Sequence, residues 1–320
     1  MAPRLLLLAN PAASQFTGGL HRDVTAILKK AYDLEAVWPN GADDARERAQ
    51  RATAEGIDVV VAMGGDGVVH HLANAIAGTD TTMGIIPAGT TNVLADILGI
   101  PSNAQDAATF LASRPSPVGV KAARITLDGD KTAHAMFAVG MGFDAEVVEQ
   151  AEKEPFRKLR FGGVHYATTA ASVIWGRFRH RHPTLRVSCN GDAIDASTVL
   201  VQVHWPFTYF GRIPLTLAQN PPERLHAAAF ERLPLRRVPS IATATTTGAR
   251  LADVAGTTVW ENVASIHVDA DPAIGVQADG ELLGEWHSVD IEHVPDAVSI
   301  MVPSGPTPRR RIRRRRRIRE

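Results

Sequence analysis

The sequence predicts an α/β fold: an N-terminal doubly wound parallel sheet, then a C-terminal β-rich region, an antiparallel sandwich or barrel with helical insertions. Up to residue 117, short apolar runs alternate with segments of helical spacing, which is typical of parallel sheets covered by helices. From Val118, β-branched strands are separated by turn dipeptides such as Asn190-Gly191, which is typical of antiparallel hairpins. The predicted regions are residues 1–117, 118–302 and a Pro/Arg-rich tail, 303–320.

The composition is that of an ordinary globular protein, with 45% apolar and 21% charged residues among 320. The net charge of zero hides an uneven distribution. Arg309 to Glu320 holds nine of the 34 basic and one of the 34 acidic residues, which leaves 25 basic and 33 acidic in the rest. Cys189 is the single cysteine, so no intrachain disulfide is expected. Apolar runs are too short for a signal peptide or a membrane span.

The first elements follow from hydrophobic periodicity. Leu5–Ala9 is an apolar run that predicts a buried strand, and Asn10-Pro11 ends it. Leu34–Trp38 predicts a second strand. Asp43–Glu55 predicts a charged helix that stops at Gly56.

Two glycine-containing turns follow the next two predicted strands. Ile57–Met63 leads into Gly64-Gly65-Asp66-Gly67, and Met83–Pro87 leads into Gly89-Thr90-Thr91-Asn92. Bare glycine backbone before a helix lets phosphate oxygens approach main-chain N–H groups and the positive end of the helix dipole. Either turn alone could be an ordinary strand–helix connection. Because the ends of neighbouring parallel strands share one crevice, the pair favours a phosphate site.

The β-rich region is defined by turn signals. Asp128-Gly129 separates the predicted strands Ala122–Leu127 and Thr132–Val139, and Ala193–Val203 predicts another strand. Helical insertions are predicted at Asp144–Glu152, and further ones at 164–178 and 241–253. Late in the chain, Asp279-Gly280-Glu281 places two acidic residues at a turn, which alone is an ordinary hairpin signal.

Together these motifs resemble the catalytic domain shared by diacylglycerol kinases, sphingosine kinases and bacterial lipid kinases, with NAD kinases as more distant relatives. The resemblance covers nearly the whole chain, and the motifs stand in the family's order. They are Asn10-Pro11 with Ser14, Gly64–Gly67, Gly89–Asn92, Gly140–Ala145 and Asp279–Glu281. For Gly140–Ala145, a tight turn with Asp144 as a helix N-cap is at least as good an interpretation as a catalytic role.

The resemblance implies an ATP- and Mg²⁺-dependent kinase that phosphorylates the hydroxyl of diacylglycerol or a related amphiphile. It implies Glu281 as the base for the acceptor hydroxyl, and Asp279 as a residue that orients Glu281 or reaches Mg²⁺. Asp66 would coordinate Mg²⁺ or share in proton removal. The implied nucleotide-binding residues are Asn10, Pro11, Ser14, Gly64, Gly65, Asp66, Gly67, Val68, Gly89, Thr90, Thr91 and Asn92.

Some positions depart from the family's pattern. Val68, His70 and His71 stand where the family has threonine and an Asn-Glu pair. The two histidines point about 100° apart on a helix and suit no shared metal, so they are interpreted as surface or phosphate-neighbouring residues. Trp38-Pro39 stands where the family usually has a nucleotide-contacting threonine. Residues 221–225 lack the Asp-Gly pair with which some relatives hold a structural Mg²⁺, so that site is not expected.

The expected partners are a lipid substrate and an anionic membrane surface that meets the arginines of 309–319. The basic stretches Lys153–Arg160 and Trp175–His182 could face the same headgroups or could equally be solvated helix ends. No nucleic acid is expected, and a homodimer is compatible with the sequence. The expected location is the cytoplasm, at the inner membrane face. Two alternatives stay open: a soluble kinase of the NAD-kinase type, and a non-catalytic lipid- or nucleotide-binding protein.

Overall fold

A computed structural model describes residues 2–152, 184–210, 213–233, 235–247 and 249–304. The helices and strands in chain order are β1 (Arg4–Ala9), α1 (Gly18–Leu28), β2 (Asp33–Val37), α2 (Ala42–Ala54), β3 (Val59–Gly64), α3 (Asp66–Ile76), β4 (Thr82–Pro87), α4 (Val93–Ile97), α5 (Ala104–Ala112), β5 (Pro117–Leu127), β6 (Lys131–Ala135), β7 (Ala138–Gly142), α6 (Phe143–Glu152), β8 (Leu185–Cys189), β9 (Asp192–Ala196), β10 (Thr198–Gln202), β11 (Thr208–Phe210), β12 (Ile213–Leu215), β13 (Leu225–Phe230), α7 (Val238–Thr247), β14 (Thr257–Val263), β15 (Ser265–Ala278) and β16 (Glu281–Met301).

The N-terminal half is a parallel sheet in the order β4-β3-β1-β2. Its central strand β3 is buried along its whole length, which explains its unbroken apolar run. The register pairs Ala9 with Met63 and Gly64 with Pro87, so the carboxyl ends of β1, β3 and β4 lie at one level. This edge carries the loops that bear the first three predicted motifs, those at Asn10, Gly64–Gly67 and Gly89–Asn92.

The C-terminal half is antiparallel, and two long strands organise it. β16 pairs with β15 from Ser265 to Ala278, whereas β8 and β7 pair with separate parts of β15. β16 also pairs with β5. Near its end β16 runs parallel to β4, where Ile300 pairs with Met83, so one sheet continues through both halves. The predicted fold class is confirmed. The boundary between residues 117 and 118 remains a proposal.

Two buried clusters form the core. One lies mainly in the N-terminal half and also contains buried residues of later elements, such as Phe230 and Ile300. The other lies within residues 123–291 and includes Trp260. Cys189 is a free, buried thiol of this second cluster.

Several predicted strand bounds were wrong. The predicted strand Thr132–Val139 is two strands, β6 and β7, interrupted at Met136 and Phe137, because the N–H groups there donate to the Asp279 carboxylate instead of a neighbouring strand. The predicted strand Ala193–Val203 is likewise divided, at Ser197, whose N–H donates to the Phe230 carbonyl.

Some predictions lie outside the described residues. They concern the helix at 164–178, the basic stretches at 153–160 and 175–182, and the arginine-rich tail at 309–319. Within the described residues, no helix combines the length and the apolar character needed to cross a membrane.

Candidate active site

The two glycine turns pack directly against each other at the carboxyl edge of the parallel sheet. The Ala88 N–H donates to the Gly64 carbonyl at 2.9 Å. A Cβ on Gly89 would come within 2.5 Å of the Gly65 Cα, so this contact requires glycine. Val68 fills the space beside Gly64, where an added Cβ would lie 2.9 Å from its Cγ2. The glycines therefore serve close backbone packing as well as any approach by phosphate.

The loop after β1 joins the same edge. The Asn10 N–H donates to the Met63 carbonyl at 2.9 Å, and Asn10 Oδ1 accepts the N–H of Ala12 at 2.9 Å. Further along, the Thr90 hydroxyl lies 3.1 Å from the Ser14 hydroxyl. Pro11 is an exposed turn residue within this loop. The structure thus brings the first predicted motif against the third.

Asn92 locks the second turn. Its backbone is left-handed, with φ of 52°, which asparagine tolerates better than most residues. Its side chain forms a ring with Gly89, accepting the Gly89 N–H at 3.0 Å and donating to the Gly89 carbonyl at 2.9 Å. This pairing fixes the position of Thr90 and Thr91 between them.

Asp66 is the first residue of α3 and bridges to the second turn. Its Oδ1 accepts the Leu94 N–H at 3.2 Å, and Val93 and the Thr91 hydroxyl also donate to the carboxylate. Burial raises the pKa of Asp66 to about 6, and these hydrogen bonds oppose the rise. Its charge therefore changes close to the pH range in which a cell operates.

The late acidic motif forms a two-residue hairpin between β15 and β16. Asp279 and Gly280 both have positive φ, 55° and 88°, as a type I′ turn requires. Glu281 follows on β16, and its Oε1 lies so close to Gly67 that a Cβ at Gly67 would clash with it. Asp279-Gly280 is therefore an ordinary hairpin turn, and the same turn places Glu281 beside the first glycine turn.

Asp279 is buried, with 4% of its surface exposed. Its Oδ1 accepts the N–H groups of Phe137 and Ala138 at 2.8 and 3.1 Å, and its Oδ2 accepts that of Met136 at 2.7 Å. His70 Nδ1 lies 3.1 Å from the same Oδ2. Four donors fill the lone pairs of the carboxylate, so Asp279 does not fit a magnesium ligand. It fits a residue that positions the hairpin.

The histidine pair is where the structure corrects the sequence interpretation. His70 is buried, with 4% exposed, and is not a surface residue. The ionised Asp279 carboxylate can only accept, so His70 Nδ1 donates the hydrogen bond between them. His71 points elsewhere, and its Nε2 lies 3.7 Å from Glu281 Oε2. Each histidine thus faces one carboxylate of the hairpin.

The Gly140–Ala145 element supports the hairpin from the other side. Asp144 lies within the first turn of α6, which begins at Phe143, so its predicted N-cap position was wrong. Its carboxylate accepts a hydrogen bond from the Gln277 amide, and burial raises its pKa to about 6. The Gln277 amide oxygen in turn accepts the Gly280 N–H at 2.8 Å. A chain of hydrogen bonds therefore reaches the turn before Glu281, a contact that the sequence motif alone did not reveal.

The loop of residues 221–225, where no structural Mg²⁺ is expected from the sequence, holds an ammonium group. The Lys121 Nζ donates to the carbonyl oxygens of Glu223 and Arg224 at 3.1 and 3.3 Å, and also to that of Pro222. Burial lowers the pKa of Lys121 to about 8. The ammonium occupies the converging carbonyls, so this loop does not fit a structural magnesium.

No group of three or more potential metal ligands occurs among the described residues. Of the three predicted acidic residues, Asp279 is excluded as a Mg²⁺ ligand by its four donors, whereas Asp66 keeps lone-pair capacity beside its three donors. One such carboxylate suits an ion that commonly takes one or two carboxylates plus substrate phosphates. A cavity of about 810 Å³ lies at the opposite ends of β3 and β4, lined by residues such as Asp58 and Arg114. It contains none of the predicted site residues.

Comparison with known proteins confirms the resemblance. Residues 4–122 match the family described as the diacylglycerol kinase catalytic domain. A diacylglycerol kinase of Mycobacterium tuberculosis is 29% identical over 162 residues, which are 49% of this chain and 52% of the relative. A Xanthomonas oryzae protein named "Probable lipid kinase YegS-like" is 31% identical over 181 residues, 54% of this chain and 56% of the relative. The chain thus spans about half the length of these curated relatives.

The similarity of fold extends further. A diacylglycerol kinase crystal structure from Bacillus anthracis aligns with a TM-score of 0.66 at 19% identity, over 94% of this chain and 97% of the other. A second structure from that organism gives a TM-score of 0.71 at 20% identity, with the same coverage. At this identity the likeness concerns the fold of both halves.

Proposed function

We propose that this protein is an ATP- and Mg²⁺-dependent lipid kinase that transfers the γ-phosphoryl group to the hydroxyl of diacylglycerol or a related amphiphile. The observation that carries the proposal is the contact between Glu281 and Gly67. It unites a phosphate-type glycine turn with a carboxylate base, which are the two functions that phosphoryl transfer to a hydroxyl needs. The kinase names of the relatives support the same class.

The glycine turns supply the phosphate side of the reaction. Backbone N–H groups from Gly64 to Gly67, at the start of α3, would bind the phosphate oxygens together with the helix dipole. The hydroxyls of Ser14 and Thr90 lie at the same edge and can donate to phosphate, whereas the Thr91 hydroxyl donates to Asp66. Magnesium bound to the nucleotide would neutralise charge on the phosphates, and Asp66 would hold it.

Glu281 supplies the acceptor side. The acceptor oxygen forms a bond to the γ-phosphorus as the bond to the β–γ bridging oxygen breaks, ADP leaves, and the hydroxyl proton passes to the Glu281 carboxylate. His71, 3.7 Å from Glu281, lies on the side of that carboxylate that faces α3. Asp279 does not touch the reacting atoms in this scheme, because its oxygens are filled. It positions the turn that carries Glu281.

A cytoplasmic enzyme at the inner membrane face is part of the proposal, since its substrate is a membrane component. The nine arginines of residues 309–319 are suited to anionic lipid headgroups. Their removal is expected to weaken binding to vesicles that contain anionic lipid, without abolishing phosphorylation of lipid in detergent micelles.

The proposal is tested by transfer of labelled γ-phosphate from ATP to a mixed lipid extract in detergent micelles, with NAD tested in parallel. Labelled lipid is expected, and chromatography would then identify the acceptor. Label in NAD alone would support a soluble kinase of the NAD-kinase type. Binding of ATP with no labelled product from either acceptor would support a non-catalytic protein.

A further inference from the structure

An exposed tryptophan stands at the same edge of the sheet as the glycine turns. Trp38 directly follows β2, and 52% of its surface is exposed. Exposed tryptophan is costly in contact with water, since it presents a large apolar ring. The neighbouring Phe16 packs against the N-terminal hydrophobic core, and Trp38 is not among the residues of that core. The indole therefore keeps a solvent-exposed face at this edge of the sheet.

Two rings hold the indole in place. The Phe16 ring centroid lies 5.7 Å from that of Trp38 with the planes at 89°. The His21 ring lies at 5.4 Å and 81°. Both contacts are edge arrangements, which are favourable for aromatic pairs. Neither ring stacks in parallel on the indole, so the contacts fix its orientation without covering it as a stacked partner would.

His21 adds a polar atom to this cluster. Its Nε2 is buried and has no hydrogen-bond partner within the described part of the chain. Burial also lowers the pKa of His21, which favours a neutral ring at neutral pH. A buried polar atom without a partner is uncommon in folded proteins and calls for a ligand or water.

The distance between Trp38 and the first glycine turn matches the length of a nucleotide. In the sheet order β2-β1-β3, Val37 pairs with Leu8 and Met63 pairs with Ala9, so Trp38 and Gly64 end strands at about the same level. Two strand spacings, about 10 Å, separate them. A nucleotide whose phosphates lie at the glycine turns extends over a comparable length before its base begins.

The loop after β1 connects the aromatic residues around Trp38 to the second glycine turn through hydrogen bonds. The Gln15 N–H donates to the Ala88 carbonyl at 2.9 Å, and its side-chain amide donates to the Gly89 carbonyl at 2.7 Å. Phe16 is the next residue. The loop that carries Phe16 to the indole is thereby fixed to the second glycine turn, so the two surfaces keep a constant separation.

We propose that Trp38, oriented by Phe16 and His21, is the surface on which the base of the bound nucleoside triphosphate stacks. The inference rests on the proposed function, because it assumes that the glycine turns hold the phosphates. Stacking on an aromatic side chain tolerates different bases, since each base has a π-face. The site would thus favour nucleotides over bare polyphosphate without strict selection of adenine.

The test compares binding of ATP and of inorganic tripolyphosphate by calorimetry, in Mg²⁺ and without lipid. Trp38→Leu is expected to weaken ATP binding by roughly 10-fold or more, the effect of losing one base–aromatic stack. Tripolyphosphate binding should stay unchanged, and Trp38→Tyr should bind ATP within about 3-fold of wild type, since it restores an aromatic face. Trp205→Leu is the matched control, because Trp205 is 41% exposed in another loop.

Three results with Trp38→Leu would each overturn the inference. Trp38→Leu could bind ATP as the wild type does, it could lose ATP and tripolyphosphate equally, or it could lose only binding to lipid vesicles, which would assign Trp38 to the membrane. A wild type that binds no ATP would sink both this inference and the proposed function. ATP binding that depends on Trp38, without phosphoryl transfer, would contradict the kinase proposal and leave the stacking surface intact.

Discussion

His70 Nδ1 lies 3.1 Å from Asp279 Oδ2, and this contact joins the helix after the first glycine turn to the hairpin that carries Glu281. Both side chains are buried, each with 4% of its residue surface exposed. The same carboxylate accepts the N–H groups at the break between β6 and β7. One aspartate thus ties together the two halves of the candidate site.

The first prediction concerns this buried carboxylate. Asp279→Asn should lower the free energy of unfolding by about 2–3 kcal/mol, because the amide cannot replace an acceptor of four hydrogen bonds. Urea denaturation measures the change. The matched control is Asp128→Asn, in the exposed turn before β6, where Asp128 accepts the N–H groups of His287 and Ser288. Equal losses for the two variants would show that burial at Asp279 adds nothing.

The second prediction separates two glycines. Gly67→Ala should leave stability within about 1 kcal/mol of wild type, because the added Cβ meets only the movable end of Glu281. It should reduce phosphoryl transfer by at least about 10-fold, since Glu281 must move. Gly89→Ala should instead destabilise the fold, as its Cβ would meet the Gly65 backbone. A destabilised Gly67→Ala, or a Gly89→Ala of unchanged stability, would contradict this account.

The third prediction concerns pH. The folded-state pKa of Asp66, about 6, lies above its ordinary value of 3.8, so the folded protein binds more protons between these two values. The ionised Asp66 carboxylate therefore lowers the free energy of unfolding. This destabilisation is complete above pH 6 and decreases as the pH falls towards 4. The predicted quantity is the free energy of unfolding of Asp66→Asn minus that of the wild type. This difference should be about 1–2 kcal/mol larger at pH 7.5 than at pH 4.5. Urea denaturation at both pH values tests this, and a difference of opposite sign would refute it.

The parallel half could be predicted because its signals are local. Each buried run ends at a glycine or proline turn, and the strands β1 to β4 fall within a residue or two of the predicted bounds. The glycine turns could also be placed together, since neighbouring parallel strands end at one edge.

Other features depend on contacts distant in sequence. The break between β6 and β7 requires Asp279, more than 130 residues further along the chain, and the burial of His70 requires the same hairpin to cover one face of α3. In the long strands β15 and β16, Pro272 and Pro295 signal breaks that the sheet absorbs as irregularities of register. Helix spacing shows which residues share a face but not what covers it.

The most direct test of the central claim is the rate of γ-phosphate transfer to lipid by Glu281→Gln beside Glu285→Gln. Glu285 lies on the same strand, is exposed and is absent from the site, so it controls for loss of one charge on β16. Glu281→Gln should lose at least about 100-fold in kcat with ATP binding unchanged, as expected for removal of a general base. Glu285→Gln should match wild type. Equal rates for the two variants would show that Glu281 is not the base and would contradict the account at its centre.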